Sequence, residues 1–156
     1  MGLMLLFLCC ACSSIDCPVQ NTVATQYAIC DGEGNATTLT DTLWIISRRS
    51  DGTDTLLNSL VEAQSFTLPI SYSHPEDTLL FIMHGTDGIW TLDSVFLKKE
   101  DIPHFESVDC SAHFFHRLTN VRCTHYAIDS VTIENPEVDY DQSKTHLRIF
   151  FGGMVR

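Results

Sequence analysis

TLWIISRRSDGTDTLLN, residues 42–58, reads as a β-hairpin, and that reading decides the fold class. Thr42 to Arg49 alternates with a period of two, placing Leu43 and Ile45 on one face and Trp44 and Ile46 on the other. Ser50-Asp51-Gly52 follows. Asp-Gly between two strand patterns is a strong hairpin signal, because glycine accepts the positive φ of a tight turn. Thr53 to Asn58 then runs back.

The same grammar extends in both directions. Upstream, Val23, Thr25, Tyr27 and Ile29 alternate with Ala24, Gln26, Ala28 and Cys30, and the segment 31–35 (DGEGN) is a turn. Downstream, Phe66, Leu68 and Ile70 alternate, with Pro69 assigning that strand to a sheet edge. Thr78 to His84 lacks clean alternation and is expected to be buried on both faces. Asp87-Gly88 marks a second hairpin, and Ile89 to Leu97 returns from it. Pro103 is expected to break the chain. Further strand patterns cover His104–Val108, Ala112–Leu118, Val121–Ile133 and Thr145–Phe151, the last with Leu147, Ile149 and Phe151 on one face. Residues 57–65 have room for one helical turn, no more. Asp-Thr-Leu recurs at 41–43, 54–56 and 77–79, but the unequal intervals exclude a solenoid repeat. Many short strands with frequent turns predict an all-β protein: an antiparallel β-sandwich, immunoglobulin-like, with a small barrel as the alternative.

Composition agrees. Apolar residues make up 44% of the chain, which argues for a packed core rather than disorder. The formal net charge of -11 argues against nucleic acid, since phosphate binding requires basic clusters. Only two basic pairs occur, Arg48-Arg49 and Lys98-Lys99, and each reads as a solvated strand end.

The first residues, MGLMLLFLCCAC, carry an address signal. Gly2 to Leu8 is nearly all apolar and small residues follow, the shape of a signal h-region and cleavage zone. The run is too short to span a bilayer, which takes roughly 20 apolar residues. The expected organisation is a signal segment at 1–11, a lipidated tether at 12–22 and a single β-sandwich domain at 23–156. Cys9-Cys10-Ala11-Cys12 resembles a bacterial lipobox, although Cys9 stands where leucine is usual. Cys12 is the preferred lipid acceptor because Ala11 precedes it and Ser13-Ser14 begins a polar tether. Cys10 is the rival. No basic residue precedes Arg48, so Met1 is expected to be an internal start, with a Lys-rich segment encoded upstream.

Cysteine arithmetic points to the same compartment. Cleavage before Cys12 removes Cys9 and Cys10, and lipidation uses one more. Cys17, Cys30, Cys110 and Cys123 remain as disulfide candidates. Three pairings are open, of which Cys17–Cys30 with Cys110–Cys123 is the most local. Buried, reduced cysteines are the alternative.

The chemical motifs are weak. His104, His113, His116, His125 and His146 cluster late, near Cys110, Cys123 and Asp109. Zinc needs four converging ligands, yet His113 and His116 are three apart and face opposite ways in a flat strand. Two oxygen-rich runs, 31–35 and 134–141, lack the spacing of a calcium loop. There is no GxSxG elbow, no P-loop and no GxGxxG after a strand, so no enzyme and no cofactor are expected. The aromatic residues Trp44, Trp90, Tyr72, Phe81 and Phe96 at strand positions are expected in the core rather than in a carbohydrate platform.

Three stretches together resemble an uncharacterised family of small lipoproteins from Bacteroidetes: LPISYSHPEDTLLF at 68–81, DSVFLKKEDIPHFESVDC at 93–110 and THYAIDSVTIENPEVDYD at 124–141, with a final THLRIFF strand. The resemblance implies lipid attachment, an envelope location and a β-rich domain of unknown function; the expected address is a bacterial membrane, the outer one. It supplies no site residues. The expected function is therefore a lipid-anchored, non-enzymatic binding or structural module with a protein or glycan partner. The alternative is a metal- or calcium-dependent binding or hydrolytic protein using the late histidines or acidic turns.

Overall fold

The computed structural model describes residues 23–49, 52–108, 110 and 112–152. The signal segment and tether lie outside these residues, as do Ser50, Asp51, Asp109 and Ser111. The strands are β1 (Ala24–Cys30), β2 (Thr42–Arg49), β3 (Gly52–Leu60), β4 (Ser65–Pro69), β5 (Glu76–His84), β6 (Trp90–His104), β7 (His113–Cys123), β8 (Ile128–Ile133), β9 (Glu137–Val138) and β10 (Leu147–Phe151). They form a four-stranded sheet ordered β4-β1-β10-β8 and a six-stranded sheet ordered β3-β2-β5-β6-β7-β9. The two pack face to face as an all-β sandwich. Every pairing is antiparallel except β1 with β10, which is parallel and starts at Tyr27 opposite Leu147.

Alternation generates the core. On β2 it buries Leu43 and Ile45, on β5 Leu79, Phe81 and Met83, and on β10 Leu147, Ile149 and Phe151. Tyr27 stacks on Phe66 with centroids 4.8 Å apart. Phe66 leans on Phe81 at 6.1 Å and 59°, so one aromatic column crosses from sheet to sheet. Pro69 ends β4 at a sheet edge, as its missing N–H requires.

Several local expectations change. β5 is covered on one face only: Leu80 and Ile82 point away from the core and are half-buried. Its even apolar content hid the alternation. Pro103 does not break the chain, because β6 runs on to His104 with Pro103 opposite Phe114. The partner β5 stops at Glu76, opposite Lys98, so beyond that point β6 pairs on one side and tolerates a proline. Residues 57–65 form no helix; β3 extends to Leu60 with Ser59 (φ 58°) in a bulge against β2, and Glu62 (φ 51°) lies in the turn that follows. β7 carries one extra residue where the register slips opposite Lys98/Lys99. That bulge switches the inward residues from Cys123 and Val121 to Leu118 and His116.

A buried carboxylate joins the sheets. Asp93 on β6 is fully buried, in phase with Val95 and Leu97. Oδ1 accepts from the Thr124 hydroxyl at 2.5 Å and the Tyr126 amide at 3.0 Å. Oδ2 accepts from the amides of Ala127 at 2.7 Å and Ile128 at 3.0 Å. These donors lie on the crossover that carries the chain from β7 in one sheet to β8 in the other. The carboxylate thus satisfies backbone groups that this turn, buried at Ala127 and Ile128, cannot pair by itself.

Candidate functional site

The outward face of the six-stranded sheet is unusually apolar. The alternation that buries Leu43, Phe81 and Val95 must turn Trp44, Ile46, Leu80, Ile82, Leu92 and Trp90 outward. Register aligns them across three strands: Trp44 opposite Ile82, Ile82 opposite Leu92, and His84 opposite Trp90. Trp90 is 59% exposed and Leu92 51%. The Trp90 ring stacks on His84 at 4.4 Å and on Trp44 at 5.3 Å, forming a three-ring ridge at one end. Further along the same face the character becomes basic. Arg48 and Lys98 are exposed, and the Arg122 guanidinium lies 3.8 Å over the Phe96 ring while pairing with Glu76 at 2.8 Å. Contiguous exposed apolar surface of this kind marks interaction sites more often than chance.

This corrects the expected core placement of the aromatic residues. Phe81 alone is in the core; Trp90 and Tyr72 are exposed, and Trp44 and Phe96 are half-buried on the outer face. Alternation separates the two faces of a strand, but an apolar outer face looks the same in sequence as a covered one.

The late histidines do not converge. Among the described residues no three His, Cys, Asp or Glu side chains are placed to hold a metal ion, and Asp109 lies outside them. His104 stacks on Phe115 at 4.2 Å, while His113 meets the edge of Tyr140 at 6.3 Å. His125 Nδ1 lies 3.2 Å from the Ile128 carbonyl, to which it donates. It sits 3.8 Å from Cys123 Sγ but with that proton in place cannot act as the thiol's base. Burial pushes the Cys123 thiol up, away from a reactive thiolate. The acidic turns are used internally. Asp31 caps its own turn through the amides of Glu33 and Asn35, both at 2.9 Å. Asp139 and Asp141 share Lys144 at 3.0 and 3.4 Å.

The local disulfide pairs are not made, since Cys30 and Cys123 both carry free thiols. Strand length is the reason for the second pair. Cys110 precedes β7 and Cys123 ends it, so an extended strand of about 30 Å separates them, far beyond the roughly 7 Å that a disulfide spans. Cys30 is buried at the far end of β1 from Val23. Cys110 carries no free thiol. Cys12 and Cys17 lie outside the described residues.

One polar cluster was not legible in the sequence. Lys99, Asp101 and His116 meet on the inner face just past the β7 bulge. The Lys99 side chain is fully buried, its ammonium bonded to the His74 carbonyl and 3.3 Å from Asp101 Oδ1. His116, 3% exposed at its side chain, places Nδ1 2.7 Å from the same oxygen. The available signal was charge in phase with a core stripe, because Lys99 and Asp101 continue the Val95–Leu97 alternation.

Burial lowers the His116 pKa, against the Asp101 carboxylate that raises it, and burial likewise lowers that of His146. His146 is completely buried and its Nδ1 accepts from the Gln26 amide at 2.9 Å. Both rings therefore bind protons less readily folded than unfolded. Their stabilising contribution is complete above the unfolded value near 6.5 and is lost as pH falls through the folded values. The urea midpoint is expected to drop below about pH 6.5, each histidine contributing a slope of at most about 1.4 kcal/mol per pH unit. His146→Gln should flatten that limb relative to wild type when both are measured from pH 8 to 5. An identical pH profile for the variant would refute the assignment.

No curated protein and no solved structure matches the chain. Residues 42–151, from the first residue of β2 to the last of β10, match the model of a family described as one of unknown function. That span takes in the apolar outer face, Asp93 and the Lys99–Asp101–His116 cluster, and it covers well over half of the sequence: the chain belongs to the family of unknown function DUF6452.

Proposed function

We propose that this protein is an exported, lipid-anchored, non-enzymatic module of a bacterial cell envelope that docks a protein partner through the outer face of its six-stranded sheet. The observation that carries the reading is the outward apolar stretch of Trp44, Ile82, Leu92 and Trp90, in which Trp90 and Leu92 are exposed and Trp44 and Ile82 half-buried. The aliphatic side chains Ile82 and Leu92 beside the tryptophans offer no hydrogen bonds to sugar hydroxyls, which favours a protein surface over a glycan. The basic residues Arg48, Lys98 and Arg122 beside it, on a chain of net charge -11, favour a partner with an apolar centre and an acidic edge.

In this reading Cys12 carries the lipid, residues 12–22 form the tether, and the anchor places the protein on the outer membrane. Cys17 is left as the disulfide candidate for Cys110 once Cys9 and Cys10 are cleaved away, Cys12 is acylated and Cys30 and Cys123 stay reduced. An oxidising compartment supplies that bond. Finding Cys17 as a free thiol in a non-reducing peptide map would remove this link.

The test is site-specific photo-crosslinking in intact cells fed labelled palmitate. A photoreactive residue replacing Leu92 should yield one discrete protein adduct, and the same residue at exposed Thr67 on β4 should yield none. Cys12→Ala should abolish both label and adduct. Absence of an adduct from position 92 would sink the docking face. Label retained by Cys12→Ala would move the anchor to Cys10.

A further inference from the structure

The two sheets part at the end of the sandwich where β7 begins and β4 ends, leaving a cleft of about 340 Å³. Val23, Ile70 and Ala112 line it with aliphatic surface. Phe114 adds an aromatic wall and stacks on Tyr72 with centroids 5.4 Å apart and planes within 6°. The volume is at the small end of the range for ligand sites, where apolar walls and a few placed polar groups are usual.

His113 and the Tyr72 hydroxyl add polar groups at the lining, and His116 brings the buried one. It lines the cleft although its side chain is 97% buried, being 3% exposed. Asp101 Oδ1 accepts from the Lys99 ammonium at 3.3 Å and lies 2.7 Å from His116 Nδ1, which donates the ring proton to it. Burial keeps the ring neutral. Nε2 therefore holds a lone pair, and among the described residues it has no hydrogen-bond partner. The facing charges are settled: Lys99 is paired with Asp101, and Asp77 accepts from the Ser71 amide at 3.2 Å. A charged ligand would lose hydration here without gaining an opposite charge.

We propose that this cleft binds a small, uncharged, largely apolar molecule whose single hydroxyl or N–H donor points at His116 Nε2. Donor and acceptor then satisfy each other, and the walls supply apolar contact. The site shares no residue with the docking face, so either can fail alone.

Phenol and toluene are the probes, matched in shape and differing in one donor. They are titrated into the full chain labelled with 15N while the histidine ring nitrogens are observed. Phenol should bind saturably at millimolar concentration and shift the His116 Nε2 resonance. Toluene should bind at least tenfold more weakly and leave that resonance in place. Ala112→Trp, which fills the cleft at an exposed position without touching the histidine or its carboxylate, should abolish phenol binding and leave the thermal midpoint unchanged. The proposal is overturned if phenol does not saturate, if toluene binds equally well, or if phenol binding survives Ala112→Trp.

Discussion

Asp93→Ala is expected to destabilise the fold by about 4–5 kcal/mol, read as a drop in urea midpoint at unchanged slope. The carboxylate accepts four hydrogen bonds, three from backbone amides of the β7–β8 crossover, of which those of Ala127 and Ile128 are buried. Truncation leaves the buried amides of Ala127 and Ile128 facing apolar surface, each at about 1–3 kcal/mol, while water reaches the part-buried Tyr126 amide and Thr124 hydroxyl. Asp93→Asn should rescue little, because its amide nitrogen would face the donors of Tyr126 or of Ala127 and Ile128. The exposed Arg49–Asp54 pair, at 3.0 Å, is the control, and Asp54→Ala should cost less than about 1 kcal/mol. Burial acts to raise the Asp93 pKa, but its four hydrogen bonds together outweigh that and hold it below the usual carboxylate value. Its contribution is present above about pH 4 and lost as pH falls through the folded value, so Asp93→Ala should also blunt acid unfolding. A cost below about 1 kcal/mol would mean that the crossover finds other partners.

Phe81→Ala is expected to cost about 3–5 kcal/mol, and Phe96→Ala only about 1 kcal/mol. Both are phenylalanines on central strands of the same sheet. Phe81 is fully buried between the sheets and completes the column through Phe66 to Tyr27. Two hydrogen-bonded sheets cannot collapse around the void, so the cavity term adds to the transfer term. Phe96 lies half-buried on the outer face under Arg122, where its loss removes a cation–π contact and little packing. Urea unfolding of the two variants compares them directly. Equal costs would mean that the outer face is packed as a core is, and would remove it as a docking surface.

Legibility followed the range of the physics. The hairpin at Thr42–Leu60, the edge position of Pro69 and the buried triplet Leu147, Ile149 and Phe151 rest on turn chemistry and period-two burial, which a short window contains. The continuation of β6 through Pro103 was hidden because a proline is tolerated only once the neighbouring strand has ended. The facing of His116 was hidden because one bulge residue in β7 resets the alternation. Cys110 and Cys123 looked adjacent by count, and the extended strand between them made them distant.

The sequence by itself determined that this is an all-β chain, roughly where its strands lie and which residues of each strand share a face. Those properties arise from local backbone preference and alternating burial, and both are written within a few neighbouring residues. Tertiary structure alone decided that β1 lies parallel to β10, that Asp93 meets amides more than thirty residues away, and that Trp44 and Trp90 face outward rather than into the core. The physical reason is that these choices depend on contacts between distant segments, and no single window of sequence contains both sides of such a contact.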